Sequence, residues 1–272
     1  MKKNYVLFFS LIGIVLISIG IFSVTLLKDS STRSKDQSTS EKQPTSQTSD
    51  SKQIESSQEL ESKENEVMKT DNPQLNQELI TATANQNLSE IKRLLTVGAN
   101  VDAMDEKQQT GLLVATHKNN VEMAEIFLLN GANVNQQDAI QDSPFLYAGA
   151  EGRTEILQMM LAYNPDTTLT NRFGGTALIP AAEKGHLDNV RLLLEQTDID
   201  VNHVNQPGWT ALLEAIVLTN GDTTQQQIVQ VLLEHGADPN LADANGIRPL
   251  RHANQMGYGK IAEELRNAGA YE

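Results

Sequence analysis

The side chains of this 272-residue chain best suited to chemistry are five histidines and a recurring set of aspartates and asparagines. His117, His186, His203, His235 and His252 form no HExxH pair, and the chain has neither a phosphate-cradling glycine loop nor a Gly-x-Ser-x-Gly elbow. Asp102, Asp105, Asn133, Asn135, Asp138, Asn202, Asn205, Asp238, Asn240 and Asp243 would suit calcium by type, but their spacing does not match an EF-hand loop. Such residues close turns by accepting backbone N–H groups, and that is the role expected of them here. With no cysteine, thiol catalysis, thiolate metal sites and disulfides are excluded. The composition therefore points to a non-enzymatic protein with no metal and no cofactor.

The elements that would position these residues fall into three segments. From Tyr5 to Leu27 runs an uncharged stretch rich in Ile, Leu, Phe and Val, preceded by Lys2 and Lys3 in a short tail over residues 1–4. As a helix it would reach about 35 Å, enough to cross a hydrocarbon core of ~30 Å. The expectation is an uncleaved signal anchor, because Ser18-Ile19-Gly20, the best exit site for a signal peptidase, lies inside the apolar run. Cleavage and secretion is the alternative. Lys28, Arg33 and Lys35 nearly balance the N-terminal charge, so orientation rests on the lack of cysteine and the Ser/Thr-rich composition that follows. Both favour a single-pass protein with its C-terminal part outside the cytoplasm.

Residues 28–71 hold 11 Ser, 5 Thr and 5 Gln without an aromatic side chain. So little apolar surface cannot offset chain entropy, and a disordered tether is expected. Such a chain would keep the C-terminal domain local to the membrane yet about 35 Å away on average.

From residue 72 the sequence repeats. The marker reads TGLLVA from Thr110, SPFLYA from Ser143, TALIPA from Thr176, TALLEA from Thr210 and RPLRHA from Arg248, with a degenerate QELITA from Gln77. A second marker keeps fixed phase with the first: GANVD at Gly98, GANVN at Gly131 and GADPN at Gly236. The copies divide at 72–104, 105–137, 138–170, 171–204, 205–242 and 243–272. In the fourth, Thr176 is placed to cap a helix carrying Leu178, Ala181 and Ala182. A second helix then presents Leu187, Val190, Leu192, Leu193 and Leu194. Helices this short need neighbours to bury their apolar faces. Pro180 sits in the first turn and removes one backbone hydrogen bond. The fourth copy replaces Gly-Ala by Thr197-Asp198-Ile199, and the fifth carries extra residues over 220–227 that predict a longer loop between its helices. On the last helix Lys260, Glu263, Glu264 and Arg266 are expected to face solvent as a cap.

These copies resemble the ankyrin repeat over about three quarters of the chain. The resemblance implies an all-α solenoid of about six helix-turn-helix repeats with projecting hairpin loops, and it places His186 in a Gly-His turn where a structural hydrogen bond is expected. It also implies that protein partners dock on the hairpin tips and on the concave face of the first helices. Mapped residue by residue, the tips contribute Lys107, Gln109, Ile140, Asp142, Arg172, Phe173, Pro207, Trp209 and Ile247. The helices contribute His117, Lys118, Glu151, Glu183, Lys184, Val217 and Leu218. Ile140, Phe173 and Trp209 are unusually apolar for turns and suggest an exposed stripe of anchors.

The repeats hold 12 basic and 25 acidic residues, against 9 and 10 in the first 71, so nearly all of the net charge of -14 belongs to them. That charge argues against nucleic acid and anionic lipid and favours a monomer that meets a protein partner through the partner's basic face.

Overall fold

The computed structural model describes residues 72–272, which lie within one compact unit. The anchor over residues 5–27 and the tether over 28–71 lie outside the described residues. Within residues 72–272 no helix is long and apolar enough to cross a membrane.

Six helix pairs follow one another: α1 Pro73–Ala84 with α2 Leu88–Thr96, α3 Gly111–His117 with α4 Val121–Leu129, and α5 Pro144–Ala150 with α6 Thr154–Met160. The second half repeats the plan with α7 Leu178–Glu183 and α8 Leu187–Gln196, α9 Ala211–Val217 and α10 Thr223–Glu234, then α11 Pro249–Met256 and α12 Gly259–Asn267. Among the described residues there is no strand, only an isolated bridge between Met104 and Thr110 at one hairpin. First helices pack on first helices and second helices on second helices along the array.

Alanine makes the stacking possible. Ala115, Ala148, Ala181, Ala215 and Ala253, the last residue of each full marker, are all 0% exposed. Between α5 and α7 the approach is so close that a Cβ on Gly149 would lie 2.8 Å from that of Ala177. Asn189 of α8 reaches across the same joint and donates from Nδ2 to the carbonyls of Ala148 and Gly149, at 2.9 and 3.0 Å. Second helices supply larger cargo, with Phe127, Ile156, Leu157, Val190, Leu193 and Leu232 fully enclosed.

The capping hydroxyls act as the marker predicts in three copies. Thr110, Ser143 and Thr210 each accept from the N–H three residues on, at Leu113, Leu146 and Leu213. The fourth copy differs from expectation. Pro180 has no N–H to donate to the carbonyl of Thr176, whereas Val114, Tyr147 and Glu214 make that bond in the neighbouring copies. Helix α7 therefore starts only at Leu178, and the Thr176 hydroxyl is buried without a hydrogen bond.

The fifth copy also departs from the expected long loop. Asp222 caps α10 by accepting from Thr224 and Gln225, so the extra residues mostly lengthen the helix to 12 residues. The short loop that remains is tied down by Tyr258, whose hydroxyl donates to the Thr219 carbonyl at 2.6 Å. On α12, Lys260, Glu263 and Arg266 are exposed as expected, but Glu264 is half-buried and burial raises its pKa. Where the fourth copy lacks Gly-Ala, the Thr197 hydroxyl donates to the Leu193 carbonyl and Ile199 fills the buried alanine position.

Each hairpin is closed by a single side-chain oxygen. Asp105 Oδ1 accepts from Lys107 and Gln109, Asp138 Oδ1 from Ile140 and Asp142, and Asn171 Oδ1 from Phe173 and Gly175. Asp243 Oδ1 does the same for Asn245 and Ile247, while Asn205 Oδ1 takes the Trp209 N–H. The second marker joins neighbours: Asp102 accepts from the Asn133 N–H, Asn135 from Asp166, and Asn202 from Asp238. The recurring Asp and Asn residues thus close turns and link repeats.

Asp138 is nearly buried, and its second oxygen also accepts from Gln109. Asp138→Ala should lower the unfolding free energy by about 2 kcal/mol, because two tip N–H groups lose their acceptor. A reduced urea midpoint with unchanged helical circular dichroism is the expected result.

Candidate functional site

The fifth position of the repeat marker is the one with no common residue type: Val114, Tyr147, Pro180, Glu214 and His252. It lies nine residues after the turn-closing Asp or Asn, and the two side chains meet in the fifth and sixth copies. Asn205 Nδ2 donates to Glu214 Oε1 at 2.7 Å, and His252 Nε2 lies 3.0 Å from Asp243 Oδ2. Asparagine rather than aspartate stands opposite the carboxylate, and aspartate opposite the histidine. First helix and tip are therefore electrostatically matched in the fifth and sixth repeats.

Between the third and fifth repeats these surfaces enclose a cleft of about 290 Å³. Its walls include Tyr147, Ile179, Pro180, Phe173 and Pro207, and its polar groups include Asp142, Glu151, Arg172, Glu183, Lys184 and Glu214. Two ion pairs cross it. Lys184 Nζ donates to Glu151 Oε1 from the equivalent position one repeat on, and Arg172 Nη1 lies 3.9 Å from Asp142 Oδ2. Arg172 also sits 4.7 Å over the Phe173 ring, a cation–π contact at an exposed site. Burial raises the Asp142 pKa, as does the neighbouring Asp138 charge, and Arg172 and Lys184 oppose the shift.

Glu214 is the most perturbed acid of the cleft. It is 7% exposed, and burial raises its pKa from 4.5 to about 7, reinforced by Glu183 and opposed by the Asn205 hydrogen bond.

A second, more apolar cleft of about 430 Å³ lies between the first two repeats, lined by Leu79, Ile80, Val114 and Gly111 with Gln109, His117 and Lys118. The His117 ring packs tilted against Tyr147, with centroids 4.1 Å apart, and Tyr147 lines the other cleft, so the two share a wall. Burial holds the His117 pKa low, with Asp138 acting against it.

Of the residues the sequence selected, Asp142, Glu151, Arg172, Phe173 and Lys184 come together in the first cleft, joined by Glu183 and Pro207. His117, Gln109 and Lys118 belong to the second. Lys107 and Ile140 are exposed on their tips outside both, joined by the bond from the Ala139 N–H to the Lys107 carbonyl. Leu218 is exposed, whereas Val217 and Ile247 are half-buried. Trp209 departs from the proposed exposed stripe: it is half-buried, so Phe173 and Ile140 remain as the exposed apolar tips. Among the described residues His186 finds no side-chain hydrogen-bond partner; its ring instead lies against Gly152, where a Cβ would come within 2.6 Å. Sequence reasoning missed Tyr147 and Glu214 and read Asn205 as a turn closer alone; the variable fifth marker position was the signal that could have found the first two. Among the described residues no three His, Asp or Glu side chains group as a metal site.

Comparison with known proteins places this architecture. The family described as "Ankyrin repeats (3 copies)" matches residues 79–171 and 145–243. The ankyrin repeat protein YahD of Escherichia coli (strain K12) is 55% identical over 106 residues, which cover 39% of this chain and 53% of that protein. The match thus spans about half the length of that curated relative. A crystal structure of an ankyrin repeat domain from Acinetobacter baumannii AYE is 52% identical and superposes with a TM-score of 0.69, covering 71% of this chain and 98% of that one. The structure of the ankyrin repeat protein EF0377 gives 44% identity and a TM-score of 0.68, covering 70% and 96%.

Because the folded-state pKa of Glu214 exceeds the ordinary value, this acid stabilises the fold while protonated and that stability is lost as pH rises through about 7. Glu214→Gln keeps an acceptor for Asn205 without the charge. It should be nearly neutral at pH 5 and stabilising by about 2 kcal/mol at pH 8.5, read as thermal unfolding at the two pH values.

Proposed function

The chain belongs to the ankyrin repeat family, and from that premise we propose that it is a recognition scaffold held at a membrane, which binds a protein partner across its third to fifth repeats. Ankyrin repeats are generally protein–protein interaction modules. One observation carries the finer reading: Asp142, Glu151, Arg172, Phe173 and Lys184, drawn from two successive repeats, converge on one cleft. An exposed phenylalanine beside paired charges is the composition of an interface centre, where aromatic and arginine side chains dominate binding energy.

The membrane part of the proposal rests on the apolar run from Tyr5 to Leu27 and the polar tract over residues 28–71. Together they suit an anchor and a leash that keep the repeats outside the cytoplasm, with secretion after cleavage as the second reading. The 25 acidic against 12 basic residues of the repeats favour a partner with a basic face.

The test is affinity capture from native envelope by the full chain, beside Phe173→Ala and an Arg191→Ala control on the outer side of α8. Capture should fall about thirty-fold with Phe173→Ala and hold with Arg191→Ala, the loss of a hot spot of ~2 kcal/mol. Equal recovery by all three would contradict the proposed face. Recovery of the intact mass in the membrane fraction supports the anchor, and a shortened chain in the medium supports secretion.

A further inference from the structure

The cleft holds four carboxylates, Asp142, Glu151, Glu183 and Glu214, but only two cations. Lys184 is committed to Glu151 and Arg172 to Asp142. Glu183 makes no side-chain hydrogen bond or ion pair among the described residues, and Glu214 accepts only from the neutral amide of Asn205. Glu214 is nevertheless nine-tenths buried in the cleft wall, and among the described residues its second oxygen makes no hydrogen bond. A buried carboxylate in that state is unfavourable unless a cation reaches it. The aromatic and proline walls leave room for a flat, weakly hydrated group, and the protein's own Arg172 already shows the matching arrangement, with a guanidinium between a carboxylate and the Phe173 ring.

We infer that the cleft is a specificity pocket for one arginine side chain of the partner protein, with Glu214 as the buried acceptor and Glu183 as the second carboxylate of the pair. The guanidinium presents five N–H donors in a rigid fork and so serves two separate carboxylates, which an ammonium group does less well. Binding would restore charge balance within the cleft and satisfy the open Glu214 oxygen. The inference rests on the recognition role proposed for this face and adds the chemistry of what it recognises.

Fluorescence anisotropy of labelled Gly-Gly-Arg-Gly-Gly and its citrulline counterpart, titrated with the full chain at pH 8, tests it. Citrulline keeps the shape and removes the charge. The arginine peptide should bind at least ten-fold more tightly, and Glu214→Gln should abolish the difference while circular dichroism stays unchanged. Equal binding of the two peptides overturns the inference, as does an arginine preference that survives Glu214→Gln. If either occurs while envelope capture still depends on Phe173, the face recognises a partner by other chemistry and only the arginine assignment falls.

Discussion

One oxygen at each hairpin tip sets the geometry of everything above it. Asp105, Asp138, Asn171 and Asp243 each gather two backbone N–H groups, and Asn205 gathers the one that Pro207 leaves available. That closure fixes where the chain enters the next first helix, and in the fifth and sixth repeats it brings the fifth marker residue back to the tip. Its second atom is then left to meet that residue: Asn205 donates to Glu214, and Asp243 faces His252. An aspartate at position 205 would set two carboxylates 2.7 Å apart, which explains why the amide stands there. The cleft is thus a by-product of turn closure, with chemistry decided at one variable position per repeat.

The array between the tips behaves as a one-dimensional stack, in which each helix pair buries its apolar surface only against neighbours. Its joints are not alike. Asn135 and Asn202 reach the backbone of the following repeat, but Thr168 occupies that place in the third copy and bonds within its own repeat to Asp166. The joint is held instead by Thr167 on Asp198 and by Asn189 under α5, where Gly149 lets the helices close up. The cleft spans this joint, so the packing of Gly149 against Ala177 bears directly on the placement of Glu151 relative to Lys184.

Much of this was legible in the sequence because repetition averages over local exceptions. Six in-phase copies gave the helix pairs, and the type and phase of the Asp and Asn residues gave their turn-closing role. Exceptions to the period were harder to read. Residues 220–227 looked like a loop because polar composition suits one, yet Asp222 is an N-cap and glutamines tolerate a helix well. Trp209 looked exposed because its neighbours on the tips are, but sequence position does not say which way a large ring turns. Glu214 was passed over because a glutamate on a short helix is normally solvated; only its nine-residue offset from Asn205 shows that it turns inward.

The central claim is that the first-helix face around Phe173, and not the outer face of the second helices, meets the partner. A photoreactive benzophenone side chain placed at residue 173 or at residue 191, followed by irradiation of intact cells, measures this directly. The account predicts a discrete heavier adduct from position 173 and none from position 191. Adducts from position 191 with none from 173 would contradict it.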